Sequence, residues 1–414
     1  MQAIRASHKN RFSANRILQI TLFFFQLSMS TDRLSVLTTA KAKSFFLKEA
    51  KTAESKLLNL AVKEFGEDAK YVLAQMHLQQ KAELKVPGLA ALPWLFTAKS
   101  FEQCTAEPVA RFKAELMANR YFTDLTAGAG VDAWFVLPTA NRLQLVEADP
   151  EHTALLRHNF GGKAAVHLYE GLAEEVLPKL LAGGSVYLDP DRRPGGQRVF
   201  DFSASNPDVT KLLPALLEKF EEVWIKASPM NDVTACELQL GKATAVYAIC
   251  WQDELKELLF HYQPGFTGTT RYEAVLLGKN GLVADRFNSL AAANLPEMSS
   301  AQPGMYLLEP HAGLTKLRLD KAHAAQAGLK AFNAQAAYYM LPYWLSGYPG
   351  RQFLIKEVLP YKPKVLQSYL QAQSIKRVHM AKRDFFLEVA AIRKVLKLPD
   401  GDDARLFFTK NAEG

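Results

Sequence analysis

The sequence has only three cysteines in 414 residues, Cys104, Cys236 and Cys250. Their spacing fits no metal-binding pattern and they make no disulfide framework, which argues against a stapled extracellular scaffold and for reduced, cytoplasmic thiols. Low-complexity sequence is absent. No apolar run approaches the roughly 20 residues needed to cross a bilayer. The nearest candidate, Ile17 to Leu27, follows Arg5, Lys9, Arg11 and Arg16 but is too short, and no small-x-small cleavage site follows it closely. Met29-Ser-Thr-Asp-Arg33 looks like a natural start, so residues 1–28 are expected to be a mis-called start or a disordered leader outside the fold. These absences predict a cytoplasmic protein with no membrane segment and no bound metal.

What is present is a chain that is 49% hydrophobic, long enough for two to four domains, with a net charge of +8. The stretch Tyr121-Phe-Thr-Asp-Leu-Thr-Ala-Gly-Ala-Gly-Val-Asp132 reads as a strand, a glycine turn and a helix opening near Val131. Gly128 and Gly130 let the backbone turn sharply and approach a ligand, and the helix start beyond offers free N–H groups. Asp124 ends the strand. The next strand delivers Glu147 about twenty residues after the first glycine, the spacing of a carboxylate that accepts both hydroxyls of a ribose. Two cofactor classes use such a turn. Read as Gly128-x-Gly130-x-x-Ala133 it is a permissible dinucleotide fingerprint. Read from Asp124 through Gly128 and Gly130 it resembles motif I of class I S-adenosylmethionine (SAM) methyltransferases, with Thr126 at the first motif glycine.

Residues 29–118 have a helical pattern, broken at Pro87-Gly-Leu-Ala-Ala-Leu-Pro93. A helix after Thr105, with Thr105 as N-cap and Val109, Phe112 and Leu116 on its buried face, lies just before the glycine turn. It is placed either to close over a cofactor or to pack as an ordinary helix with Gln103 and Thr105 as cap groups. Between Tyr121 and Leu277 strand-like runs alternate with helices, which predicts a mostly parallel sheet covered on both faces. Ligands bind beyond the carboxyl ends of such strands. Asp124, Glu147, Gly171, Asp189 and Lys226 all fall there.

Ser185-Val-Tyr-Leu-Asp189-Pro-Asp-Arg-Arg193 is the second chemical signal. Pro190 fixes the backbone after Asp189, whose carboxylate suits an acceptor amine that must be aimed at an activated methyl group. Arg192 and Arg193 suit phosphate, or a latch on Asp191 or Asp201. Lys226 either faces substrate phosphate or neutralises the acids of the cleft. Residues 281–328 read as a small α+β unit, with a helix expected over Ala322–Ala337. Leu329–Gly414 holds fourteen Lys and Arg against seven Asp and Glu, so nearly all the net charge sits in the tail. Its densest basic stretch includes Lys376, Arg377, Lys382 and Arg383, which reads either as a solvated face or as an RNA-contacting edge.

Together Glu102-Gln-Cys-Thr-Ala-Glu107, the glycine turn, Asp189-Pro-Asp-Arg-Arg193, Lys226-Ala-Ser-Pro-Met230, Glu309-Pro-His-Ala312 and Arg383-Asp-Phe-Phe386 resemble the bacterial class I methyltransferases that carry a small ferredoxin-like insert and a C-terminal THUMP-like domain. The catalytic part is similar to the RNA-cap guanine-N2 methyltransferases. The resemblance implies an α/β chain: a Rossmann-like methyltransferase sheet at 119–280, an N-terminal helical segment at 29–118, a ferredoxin-like domain at 281–328 and a THUMP-like basic domain at 329–414. It implies SAM held by Gln103, Thr105, Asp124, Thr126, Gly128, Gly130, Glu147 and Gly171. It also implies catalysis at Asp189, Pro190 and Arg192, with RNA (tRNA or rRNA) met by Arg193, Lys226 and the basic tail. Leu172 stands where the family often has an acid for the adenine amino group. No aromatic follows Asp189-Pro-Asp. An NAD-dependent oxidoreductase lacks an evident acid–base partner for hydride transfer and leaves Asp124 without a role, and a catalytically silent RNA-binding protein is the other alternative.

Overall fold

The computed structural model describes residues 31–49, 52–191, 201–289 and 295–410. Residues 1–28, Arg192 and Arg193 lie outside them. Nine strands belong to the large sheet: β1 (Tyr121–Asp124), β2 (Arg142–Glu147), β3 (Val166–Glu170), β4 (Ser185–Leu188), β5 (Glu222–Ala227), β6 (Ala245–Trp251), β7 (Glu254–Tyr262), β8 (Arg271–Leu277) and β9 (Val283–Asn288). The described residues divide into two compact units, one of those up to Thr244 with Leu258–Thr270 and Leu277–Leu282, the other of Ala245–Glu257, Arg271–Leu276 and those from Val283 on.

In the first unit the strand order is β3-β2-β1-β4-β5-β7. β1 to β5 pair in parallel and β7 runs antiparallel to β5, from Val223↔Tyr262 to Ala227↔Leu258. The order reverses between β1 and β4, so the loops after these two strands diverge and leave a crevice at their carboxyl ends. β4 is buried along its whole length and β2 and β5 nearly so, the pattern of strands covered on both faces. N-terminal to the sheet lie the helices Thr31–Thr38, Ala40–Glu49, Glu54–Phe65 and Ala69–Lys85, whose apolar residues Leu37, Phe45, Phe46, Val72 and Met76 form one cluster with Leu155. The expected break at Pro87 appears as a new four-residue helix, Pro87–Ala90, with proline in its first turn.

The second unit holds β6, β8 to Leu276, and β9, with β8 between the other two. It also holds an antiparallel sheet of order β11-β12-β10-β13, built from β10 (Tyr306–Pro310), β11 (Lys330–Ala331), β12 (Tyr339–Leu341) and β13 (Gly350–Leu354). β14 (Val378–Lys382) and β15 (Ala404–Phe408) form a parallel pair joined through the helix Val389–Leu396. The helix expected over Ala322–Ala337 is shorter, Asp320–Gln326. Gly328, at φ +68°, turns the chain, and the alanines beyond it enter β11 and the approach to β12. Alanine's helix propensity yields there to sheet pairing.

Candidate active-site cleft

The glycine turn is built as its composition requires. Gly128 and Gly130 have φ of +52° and +76°, a region that side chains disfavour. They serve different ends. A Cβ on Gly130 would lie 2.5 Å from the Phe160 ring and 2.8 Å from Leu156, so this glycine admits the helix Pro150–Asn159 and its C-cap to the turn. A Cβ on Gly128 would meet nothing nearer than 3.8 Å, and Gly128 lines the cleft. Its N–H donates to Glu147 Oε2 at 2.8 Å, while Glu147 Oε1 accepts from the Asp149 N–H at 2.9 Å. Each carboxylate oxygen keeps a further lone pair for a ligand hydroxyl.

Thr126, in place of a glycine, has work of its own. Its Oγ1 accepts the Asp189 N–H at 2.7 Å, fastening the turn after β1 to the end of β4. Its own N–H donates to Asp124 Oδ1 at 3.0 Å. Beyond Asp189 the backbone is held again, by paired hydrogen bonds between Asp191 and Asn206 at 2.9 and 3.0 Å.

A cavity of about 250 Å³ collects these groups. Gln103, Thr105, Asp124, Thr126, Gly128, Glu147, Gly171 and Asp189 line it; Gly130 sits behind, under Phe160, and Lys226 and Pro190 are not on its wall. The helix Ala98–Gln103, started by a Thr97–Ser100 capping box, supplies Lys99, Ser100 and Gln103 to the cavity wall. The next helix, Glu107–Met117, is not capped by Thr105 as expected. Its N-cap is Ala106, and the Thr105 hydroxyl donates instead to Asp132 Oδ2 at 2.9 Å.

That contact belongs to a buried network that sequence reasoning did not find. Lys113, fully buried, lies 3.0 Å from Asp132 Oδ1 and donates to Thr105 Oγ1 at 3.2 Å and to the Tyr187 hydroxyl at 2.9 Å. Tyr187 in turn donates to Asp132 Oδ2 at 3.1 Å. Burial on its own would raise the Asp132 carboxyl, but the Lys113 ammonium and the hydrogen bonds outweigh it and hold the group below its ordinary value. A signal was available: Lys113 falls four residues after Val109 and four before Met117, on the buried stripe of its helix.

Two buried cations thus pair with two of the cleft's carboxyl groups. Lys113 pairs with Asp132, and Lys226 pairs with Asp189 at 2.5 Å. Asp124, 2% exposed, has no ion pair among the described residues. Burial, with Asp132 and Asp189 nearby, pushes its carboxyl up to about 8 against the one backbone N–H it accepts.

In the basic tail, Arg377 pairs with Asp403, Lys382 with Glu388, and Arg383 with the buried Glu309, which also holds Arg351 at 2.7 Å. The backbone N–H groups of Lys376 and Arg377 both donate to Asp403 Oδ2.

Residues 350–414 match a family model described as THUMP domain-like. Two proteins of Mycobacterium tuberculosis, one from strain CDC 1551 and one from strain H37Rv, are each 25% identical over 360 residues, which cover 84% of this chain and 95% of theirs. Both are described as uncharacterized S-adenosylmethionine-dependent methyltransferases. The crystal structure of a "putative methyltransferase" from Porphyromonas gingivalis W83 superposes with a TM-score of 0.74 at 22% identity, covering 94% of this chain and 97% of that one. At that identity the likeness establishes a shared fold, a mixed α/β one with a mainly parallel sheet.

Proposed function

We propose that this chain is a SAM-dependent methyltransferase whose acceptor is RNA, acting in the cytoplasm. The relatives described as SAM-dependent methyltransferases align with most of the chain. The observation that carries the reading is the pairing of an open glycine turn with a carboxylate surplus in one cleft. The Gly128 backbone and Glu147 form a cradle for a ribose. Asp124, buried and with no ion pair among the described residues, suits the ammonium of a methionine moiety. When bound, SAM supplies a methyl group already activated on a sulfonium, so the protein's task is orientation and electrostatics.

Asp189 faces the cavity from the end of β4, its peptide N–H tied to Thr126. A carboxylate there accepts an N–H of an acceptor amine and directs the nitrogen lone pair towards the methyl. Asp191 and Asn206 line the cavity beside it. The RNA acceptor is supported by the THUMP domain-like match and by the positive surplus of the tail. Three unbridged cysteines agree with a reducing compartment, and no described helix is long and apolar enough to cross a membrane. Calorimetric titration with SAM and with NAD tests the cofactor: heat from SAM and none from NAD is expected, and the converse overturns the reading. Transfer of a tritiated methyl from SAM to RNA tests the acceptor.

A further inference from the structure

We propose that Lys226 is a positioning residue for this methyl transfer: it acts through Asp189, holding one carboxylate oxygen so that the other is aimed at the acceptor. The inference rests on the methyltransferase reading and names a part that the reading does not need. It begins with the sheet. β4 and β5 are parallel neighbours in the register Ser185↔Glu222 to Leu188↔Ile225, so the next residue of each strand, Asp189 and Lys226, arrives level at the carboxyl end. The ammonium reaches Asp189 Oδ2 at 2.5 Å.

The two side chains are not equivalent. Asp189 is 27% exposed and lines the cavity, whereas the Lys226 side chain is 11% exposed and does not reach the cavity wall. A lysine so placed, buried behind Asp189 and off the cavity wall, meets the cleft through that carboxylate, so its effect on the reaction passes through Asp189. The Asp189 backbone is already fixed, by Thr126 Oγ1 on its N–H and by the Asp191–Asn206 bridge two residues on. What remains free is rotation of the carboxyl group about its own bonds, and the contact to Lys226 removes that freedom. Lys226 also offsets the charge of Asp189 in a cleft where Asp124 feels both Asp189 and Asp132.

The test uses the full-length protein, tritiated-methyl SAM, and total RNA from cells lacking the gene. Lys226→Met is expected to bind SAM within about twofold of wild type by calorimetry. Its kcat should fall by roughly 10²-fold, the scale on which misplaced catalytic groups are felt, and the activity that remains should shift to higher pH. Lys226→Arg, which restores a cation at that position, is expected to recover most of the rate and the original pH profile. A lysine that only supports the fold would instead lower thermal stability and SAM affinity together with kcat, and Lys226→Arg would not separate them. Lys226→Met with wild-type kcat at every pH overturns the proposal, as does an equal loss of kcat and SAM affinity in both variants. A wild-type protein that binds SAM but labels no RNA overturns the RNA function on which the inference rests. A labelled wild type with an indifferent Lys226→Met overturns the role of Lys226 alone.

Discussion

Asp124 is buried, accepts one backbone N–H from Thr126 and has no ion pair among the described residues, so its charge state is set by what enters the cleft. Its carboxyl lies at about 8 in the folded protein against an ordinary value of 3.8. Between those values the folded form holds a proton that the unfolded chain has released. The stability cost therefore grows as pH rises from about 4 and levels off above about 8. Asp124→Asn removes the cost. Thermal unfolding should show a higher Tm for this variant at pH 7 to 8, little difference near pH 4, and a weaker dependence between them; parallel curves would mean that Asp124 does not titrate in this window. A cationic ligand beside the carboxylate must displace the same proton, so SAM affinity in the wild type should rise with pH up to about 8. In Asp124→Asn it should be lower and flatter. Asp189→Asn separates the two acids: it keeps the shape but adds a donor where an acceptor is needed, so SAM affinity should stay near normal while methyl transfer falls steeply. Equal losses of both would assign Asp189 to cofactor holding or folding.

The glycine turn allows the same separation within one element. Gly130→Ala places a methyl against Phe160 and Leu156 in a left-handed backbone, and should destabilise by about 1–3 kcal/mol in urea unfolding. Gly128→Ala meets open space and carries only the backbone strain of about 1–2 kcal/mol. Its larger expected effect is on SAM affinity, because the methyl projects at the ligand-facing turn. The reverse ranking would mean that Gly128 packs and Gly130 binds.

This turn, Asp124, Glu147 and Asp189 were legible in the sequence because each is a local pattern: a strand, a turn residue at its end, and a fixed spacing to the next acid. The Lys113–Asp132–Thr105–Tyr187 network was not. Its members come from two helices, a strand and a connecting segment up to 82 positions apart along the chain, and only the folded chain brings them together. The β7 strand is hard to read from the sequence for a related reason. Glu254-Leu-Lys-Glu-Leu-Leu-Phe-His-Tyr262 mixes charges with an apolar run, and antiparallel pairing on β5 decides its state.

At the scale of the whole molecule, formal charge and available charge differ. The tail's surplus of seven is plain in the sequence, yet Arg377, Lys382 and Arg383 all have carboxylate partners. The partners are not alike. The Arg377–Asp403 pair is exposed, as is Glu388 opposite Lys382, and such pairs exchange readily for phosphate. Arg383 is only 23% exposed, bound to buried Glu309 and set over the Tyr338 ring, so it is committed to the fold. If the tail meets RNA, changing Lys376, Arg377 and Lys382 to Gln should weaken binding across sequences and flatten the salt dependence, by roughly 0.7–0.9 in log–log slope for each phosphate no longer neutralised. Arg383→Gln should mainly lower stability. Filter retention between low and physiological salt, beside thermal unfolding, checks both. An unchanged slope in the triple variant would return this stretch to a solvated surface.

The acids of the cleft also bear on how a turnover ends. Six carboxyl groups line the cavity, from Asp124, Asp132, Glu147, Asp149, Asp189 and Asp191. Lys113 and Lys226 offset two of them and Asp124 holds a proton below about 8, so the negative surplus rests on the others. Donating its methyl turns the sulfonium of SAM into a neutral thioether, so the spent cofactor carries one positive charge fewer than the fresh one. A wall of that sign releases the uncharged sulfur more readily than it releases the cation. Product inhibition should accordingly be weak, and should strengthen relative to SAM binding as salt screens the wall.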